Sequence, residues 1–401
     1  MSQPVAHLHL VSEQTIPNLL AILALKPERV LLLRSADPRF ADVPRHLQQA
    51  AVLAGVPAAT FAADDDLRIP ESPPSIGAVR QRITALAARY DIGLIHITGG
   101  TKLMSIGARD FARAAGIPTL YVDKDWFSGE TGELPELPPL RELARRLTVR
   151  QVLCAYGLDA SALKMDAPVE RQLDFGRAVL DLMTHAPAPT QRYLGKVRDR
   201  LRPDRKDPRK SEIDGILARG LPAPDDDTQH AFLQAAAARG VVEEHGAGNW
   251  RLVLPGATRT PDDRVRATLR CLQELEGSWY EYACAHAMLT SGRFADIHIG
   301  VESQRRDDSL GETDIVAVDP ERLALAFVSC KVSDTHVKPL EHVFATRQRA
   351  VEFGGAFSHT MFCVHRFDDH GKRTTFEAAC RTLRCGLLVG APDFSASGPQ
   401  P

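Results

Sequence analysis

The chain has 401 residues, enough for two or three domains with cores of their own. Its 49 Lys and Arg against 51 Asp and Glu exclude a globally basic nucleic-acid binder and leave such contacts to local patches. No apolar run has the length of a membrane span, and the first residues lack the charged region and cleavage site of a secretory leader. The seven scattered cysteines, with no Cys-x-x-Cys pair, fit a reducing cytoplasm. Cys380 and Cys385 with His359 and His365 match no common zinc spacing, so buried thiols are expected there.

Val5 to Val11 reads as a first strand carrying His7 and His9. It leads through Ser12-Glu13-Gln14-Thr15 into a helix with Pro17 near its start. A second strand is expected at Arg29–Leu33, a helix at Val43–Leu53 and a third, weaker strand at Ala58–Ala62. Ile76 to Tyr90 has a helical stripe of Val79, Ile83, Leu86 and Ala87. Leu94–Ile97 is a short buried strand and Thr119–Val122 another. Strands alternating with helices predict a parallel, Rossmann-like α/β sheet over residues 1–145, with its ligand beyond the carboxyl ends of the strands.

Between the fourth strand and the next helix stands Thr98-Gly99-Gly100-Thr101-Lys102, followed by Leu103, Met104, Ile106, Ala108 and Phe111 at helical spacing. Glycines at a helix N-terminus let a ligand approach unpaired backbone N–H groups, and two threonines and a lysine add hydroxyls and charge. That is chemistry for a phosphate. The spacing is neither a Walker A loop nor a dinucleotide fingerprint. A plain tight turn would need none of the flanking Thr, Thr and Lys. Thr98, Gly99, Gly100, Thr101, Lys102 and Met104 resemble the T-G-G-T-K-x-M signature of CARF domains, the cyclic-oligoadenylate sensors of type III CRISPR defence. The resemblance implies that Ser12 and Gln14, in the loop after the first strand, also touch the ligand. Helix capping is the alternative for Ser12 and Thr15, and His96 is expected to be a packed core histidine.

Residues 146–265 read as helices with a small ribbon. Leu140–Tyr156 and Glu170–His185 are helical, Pro187 and Pro189 interrupt, and Thr228–Arg239 is an alanine-rich helix ending at Gly240. Val241 to Leu254 forms a hairpin. Helices followed by a hairpin suggest a winged-helix-like unit. Arg192 to Lys210 holds nine Lys or Arg in nineteen residues, either a phosphate-contacting patch or a solvated linker.

In residues 266–401 a helix over Val265–Leu275 precedes one opened by Gly277 to Glu281. Strands are expected at Asp296–Glu302, Glu312–Val318 and Leu323–Lys331, with a polar turn, Arg305–Gly311, between the first two. A helix at Phe344–Phe353, a strand at Thr360–Val364, a helix at Thr375–Cys385 and a strand at Gly386–Val389 follow, then a disordered tail, Ser395–Pro401. An acid on a helix, a strand opening with Asp314 and a strand ending in Lys331 resemble the PD-(D/E)xK nuclease core. The resemblance implies an α/β restriction-endonuclease-like domain that binds Mn²⁺ or Mg²⁺. Asp314, Glu281 and Glu312 would be its acidic ligands or supports and Lys331 would handle the attacking water. The family's acid two residues before the lysine is Ser329 here, so a carbonyl at Cys330 would stand in. Arg347 and Arg349 are candidate contacts to substrate phosphates.

Taken together these patterns resemble a CARF-domain CRISPR ancillary nuclease. The resemblance implies a homodimer that binds one cyclic oligoadenylate, with tetra-adenylate as the first expectation, and cleaves DNA or RNA. A CARF–winged-helix regulator with an inert nuclease-like tail is the alternative, and degradation of the activator in the CARF pocket is a third reading.

Overall fold

The computed structural model describes residues 4–62, 67–123, 126–129, 134, 136–201, 210–246, 248–254, 260–304, 310–334 and 338–395. The first elements are β1 (Ala6–Leu10), α1 (Ile16–Leu25), β2 (Arg29–Ser35), α2 (Val43–Leu53) and β3 (Arg68–Ile69). They continue with α3 (Ile76–Ala87), β4 (Ile92–His96), α4 (Lys102–Ala115), β5 (Thr119–Asp123) and β6 (Trp126–Gly129). Their six strands form one sheet in the order β3-β2-β1-β4-β5-β6. The first five run parallel and β6 returns antiparallel to β5. Strand order reverses between β1 and β4, the switch point at which open α/β sheets bind ligands.

The run of apolar residues in β1, β2 and β4 reflects a sheet covered on both faces. Leu8, Leu10, Leu31, Leu33 and Ile95 pack against Val79, Ile83, Met104 and Ala108 of α3 and α4. On the other face Leu19, Leu20 and Ile22 of α1 meet Val30, Leu32 and Leu47.

The strand expected at Ala58–Ala62 is instead a 3-10 turn, Ala58–Thr60, with one bridge from Val30 to Phe61, and the edge strand is Arg68–Ile69. Ala58 and Ala59 are exposed, and alanine has little side chain to bury on a pleated surface. The helix expected over Leu140–Tyr156 is two, α5 (Leu140–Ala144) and α6 (Val149–Ala155), because Thr148 and Gln151 form a capping box that starts a new helix.

The chain continues with β7 (Lys164–Asp166), α7 (Glu170–His185), α8 (Pro187–Leu201), α9 (Lys210–Arg219), α10 (Asp227–Arg239), β8 (Val242–Glu244), β9 (Trp250–Leu252), α11 (Pro261–Gln273) and α12 (Trp279–Thr290). The ribbon β8–β9 is antiparallel and follows α10, whose end is capped by Gly240. Phe175, Tyr193 and Phe232 hold α7, α8 and α10 together, with ring centroids 6.2 and 5.8 Å apart. A π-helical turn, Glu274–Ser278, joins α11 to α12.

The last elements are β10 (Ala295–Gln304), β11 (Leu310–Asp319), β12 (Ala324–Ser333), α13 (Pro339–Gly354), β13 (His359–Arg366), α14 (His370–Thr382) and β14 (Gly386–Val389). The second sheet has the order β14-β13-β12-β11-β10-β7. Most of the polar turn after β10 and residues 396–401 of the expected tail lie outside the described residues.

By contact density the chain forms two compact units. One contains Met1–Met165, Arg293–Phe327 and Phe344–Thr360; the other contains Asp166–Gly292, Val328–Val343 and Met361–Pro401. In the first unit, Val316, Val318, Leu325 and Phe327 share a core with Ala350 and Phe353 of α13 and with helices α1, α2, α5 and α6.

Candidate functional site

At the switch point two loops meet the carboxyl ends of β1 and β4. Gly99 is buried against β1, where a Cβ would collide with the Leu10 carbonyl oxygen. Gly100 has φ +79°, a left-handed conformation that glycine adopts without strain. Thr101 is the N-cap of α4 and accepts from the Met104 N–H at 3.3 Å. Thr98 Oγ1 accepts from the Val122 N–H at 2.6 Å, which ties the loop to β5. Met104 is buried in the core beneath Gly100.

The signature therefore divides by role. Thr98, Gly99 and Met104 hold the turn in shape. Thr101 is half-buried and Lys102 is exposed at the start of a fourteen-residue helix, with the dipole behind them and N–H groups that lack an intrahelical acceptor. Across the switch point Ser12 and Gln14 are half-buried, and Ser12 Oγ accepts from the Gln14 N–H at 3.4 Å. This arrangement offers N–H donors, the Thr101 and Ser12 hydroxyls, one amide and one cation to an anionic, nucleotide-like ligand.

Behind the Gln14 loop, Tyr156 donates its hydroxyl to Gln14 Oε1 at 3.4 Å. The Tyr156 ring lies against Gly355, just past the end of α13, leaving no room for a Cβ there. These residues border a cavity of about 370 Å³, also lined by Arg39, His46 and Glu352. Sequence reasoning singled out neither Tyr156 nor Gly355. A tyrosine at a helix end and a Gly-Gly pair carry no signal until the chain is folded.

His9 and His96 are register partners on β1 and β4, fully buried, with ring centroids 5.1 Å apart. Among the described residues no hydrogen-bond partner meets either ring nitrogen of the two. Burial depresses both, His96 to about 3, and His7 beside them to about 4. They are neutral core residues, as expected for His96.

On β11, Asp314 is half-buried and in step with Val316 and Val318, so it shares the face that packs on α13. Glu312 is exposed, and its carbonyl accepts from Arg349. Arg347, half-buried, donates to the Ser358 carbonyl at 2.6 Å. Both arginines therefore have backbone partners in this structure.

On β12, alternation sends Ser329 and Lys331 to one face and Cys330 to the other. The buried Ser329 hydroxyl lies 3.1 Å from Nε2 of His342 on α13. Lys331 is half-buried. The Cys330 side chain meets Cys284 of α12 and Cys363 of β13, with the three sulfurs within 4.8 Å of one another. Burial raises the thiols of Cys284 and Cys330 well above their ordinary range, so these are protonated, packed sulfurs. Glu281 stands one turn before Cys284, on the helix that packs against Cys330's face. The structure thus brings His342 to the Ser329 side, which the sequence did not suggest, and sets α12 against the opposite one. A carboxylate such as that of Asp314 is a donor suited to a hard divalent ion such as Mn²⁺ or Mg²⁺.

Of the basic run, Lys196 pairs with Asp225 and Arg200 donates to the Gly220 and Arg219 carbonyls. Arg198 lines a cavity of about 180 Å³ with Gln191, Ser333 and Arg366. Residues 202–209 lie outside the described residues. Among the described residues no helix is long and apolar enough to cross a membrane.

Residues 6–125 match the family model of the Card1 CARF domain. No curated protein matches the sequence. Two solved structures share the fold over almost the whole chain. One is Can2 from Sulfobacillus thermosulfidooxidans in complex with cyclic tetra-adenylate, at TM-score 0.63 and 18% identity, covering 96% of this chain and 94% of that one. The other is protein VC1899 from Vibrio cholerae, at TM-score 0.64 and 13% identity with the same coverage. At these identities the likeness is one of fold.

Proposed function

We propose that the CARF domain of residues 6–125 makes this chain a cyclic-oligoadenylate sensor in type III CRISPR defence, and that its second sheet is a metal-dependent PD-(D/E)xK nuclease cutting DNA or RNA. The observation that carries the sensor reading is Thr98–Lys102 at the switch point of a Rossmann-like sheet, facing Ser12 and Gln14. Lys102 and the α4 N-terminus bind phosphate, and Gln14 and Ser12 take base or ribose edges. Can2, solved with cyclic tetra-adenylate, supports tetra-adenylate as the ligand to try first. A cyclic ligand with two-fold symmetry suits a homodimer sharing one activator, which light scattering with and without ligand tests.

The nuclease reading rests on Asp314 and Lys331 standing on strands that are neighbours in the sheet order, with Glu312 on the Asp314 strand and Glu281 on α12 as further acids. A divalent metal bound there supplies charge neutralisation at the phosphate and a more acidic water. The Asp314 carboxylate holds the ion, and Lys331 orients the attacking water and offsets developing charge. Arg347 and Arg349 are the proposed substrate contacts. A cytoplasmic setting follows from free thiols and the defence role.

The uncharged Ser329 favours one competing reading, a cyclic-oligoadenylate-responsive regulator with an inert tail. The deciding experiment incubates the protein with single- and double-stranded DNA and RNA, with and without cyclic oligoadenylates, in Mn²⁺ or Mg²⁺. Activator-dependent and metal-dependent cleavage is the expected result. Activator binding with no cleavage under any condition leaves the regulator.

A further inference from the structure

The basic run of α8 is a sequence feature that neither proposed site uses, and the structure divides it. Lys196 pairs with Asp225, and Arg200 is held by the Gly220 and Arg219 carbonyls. Arg198 is exposed and makes no ion pair or hydrogen bond among the described residues. Gln191, Leu194 and Arg198 recur at helical spacing, and together they line the cavity of about 180 Å³. Ser333 and Arg366, the last residues of β12 and β13, line it too. Buried Met183 and Leu194 give it an apolar wall, which strengthens the field of any charge beside it. Every one of these residues belongs to the second compact unit, as does Lys331.

Two guanidinium groups on one small cavity repel each other, so an anion between them is favoured. Two carboxylates temper that charge. Glu276 is exposed, lines the cavity and has a partner, and Asp368 lies 3.1 Å from Arg366 Nε in a pair open to water. Such an exposed pair is weak, so a phosphate oxygen can take its place. Guanidinium forks, a hydroxyl and an amide suit the oxygens of a phosphodiester. Ser333 stands two residues past Lys331 on the same strand face, about 7 Å along β12 and roughly one step of an extended nucleic-acid backbone. We propose that this cavity is a phosphate subsite for a nucleic-acid strand, in which Arg198 and Arg366 hold a backbone phosphodiester next to the one presented to Lys331. The proposal rests on the nuclease reading for the role of Lys331, and it gives the strand a path from the end of β12 toward α8.

The test measures strand binding by fluorescence anisotropy in full-length Lys331→Ala protein, with Mn²⁺ and cyclic tetra-adenylate present, so that bound strand stays intact. Labelled single-stranded DNA and RNA are titrated at several salt concentrations, with inorganic phosphate titrated in parallel. Arg198→Ala and Arg366→Ala are each expected to weaken strand binding on the order of tenfold. Each should also lower the slope of log affinity against log salt by about 0.7, the mark of one lost phosphate contact. Arg198→Lys keeps the charge and loses the fork, so it should keep the slope and lose part of the affinity. Arg192→Ala, exposed on α8 and outside the cavity lining, is expected to change neither. Equal losses in Arg192→Ala and Arg198→Ala would make α8 a diffuse basic surface and overturn the proposal. Strand binding unchanged in both Arg198→Ala and Arg366→Ala overturns it too, whether or not inorganic phosphate is lost, and leaves the nuclease reading standing. Arginine-dependent binding by a protein whose wild type cuts nothing under any metal condition keeps the subsite and ends the nuclease reading. If no strand binds at all, the two fall together.

Discussion

The two candidate sites are built on opposite plans. At the switch point of the first sheet the ligand chemistry is mostly backbone: N–H groups at the start of α4, shaped by Gly99, Gly100 and the Thr98 tie to β5. On β11 and β12 the chemistry is mostly side chain, set by strand alternation and by contacts from α13. A backbone site needs consecutive residues, so one string of sequence contains it. A side-chain site is assembled from separate elements, and what stands beside each position is supplied from elsewhere in the chain, as His342 of α13 stands beside Ser329. The lesson is that a departure from a motif is informative only once its spatial neighbours are known.

The sharpest test of that separation crosses the two sites. Asp314→Ala and Lys331→Ala are each expected to lower activated cleavage about a thousandfold or more, roughly 4 kcal/mol of barrier, with activator affinity by calorimetry unchanged. Combining them should cost little beyond either, since both disable one step. Lys102→Ala is expected to do the reverse, weakening activator binding by roughly 1.5–3 kcal/mol while leaving metal binding intact. Glu281→Ala, on the helix against the other face of β12, is expected to fall short of the Asp314 effect. Loss of activator binding in Asp314→Ala would break the comparison.

Acidity sharpens it next. The folded-state values of His9 and His96 lie below the ordinary 6.5, so the folded chain binds fewer protons than the unfolded one. The stability they contribute is present above that pH and is lost as pH falls from 6.5 toward 3. The slope is about 1.4 kcal/mol per pH unit for each buried histidine. Thermal melts of the sensor between pH 7 and 4 should show it, and His96→Leu should flatten the slope. A wild-type melting temperature constant over that range would contradict the assignment.

The smallest effect concerns Tyr156. Removing its hydroxyl in Tyr156→Phe breaks the contact to Gln14 and should cost about 0.5–1.5 kcal/mol. If that contact orients Gln14 for the activator, the half-maximal activator concentration moves several-fold with the maximal cleavage rate unchanged. An unmoved dose–response curve would limit Tyr156 to packing against Gly355.

Much of the fold follows from local pattern. The helices at Val43–Leu53 and Glu170–His185 stand where periodicity puts them, because each buries one face of a regular element. The expected strand at Ala58–Ala62 fails, since alanines lack the side chains that hold an edge strand, and Arg68–Ile69 takes its place. Within the switch-point site, Thr98 to Lys102 was legible because glycines, a cap and a cation act through their own backbone. The sequence by itself determined the parallel α/β order, the turn that opens α4 and the alternation that sets Ser329 and Lys331 apart from Cys330. Only the tertiary structure decided that Tyr156 meets Gln14, that Cys284 and Cys363 close on Cys330, and that His342 reaches Ser329. Local pattern fixes which way a side chain points from its own element. What it meets there depends on how helices distant in sequence pack, and that is set by the buried area of the whole core rather than by neighbouring residues.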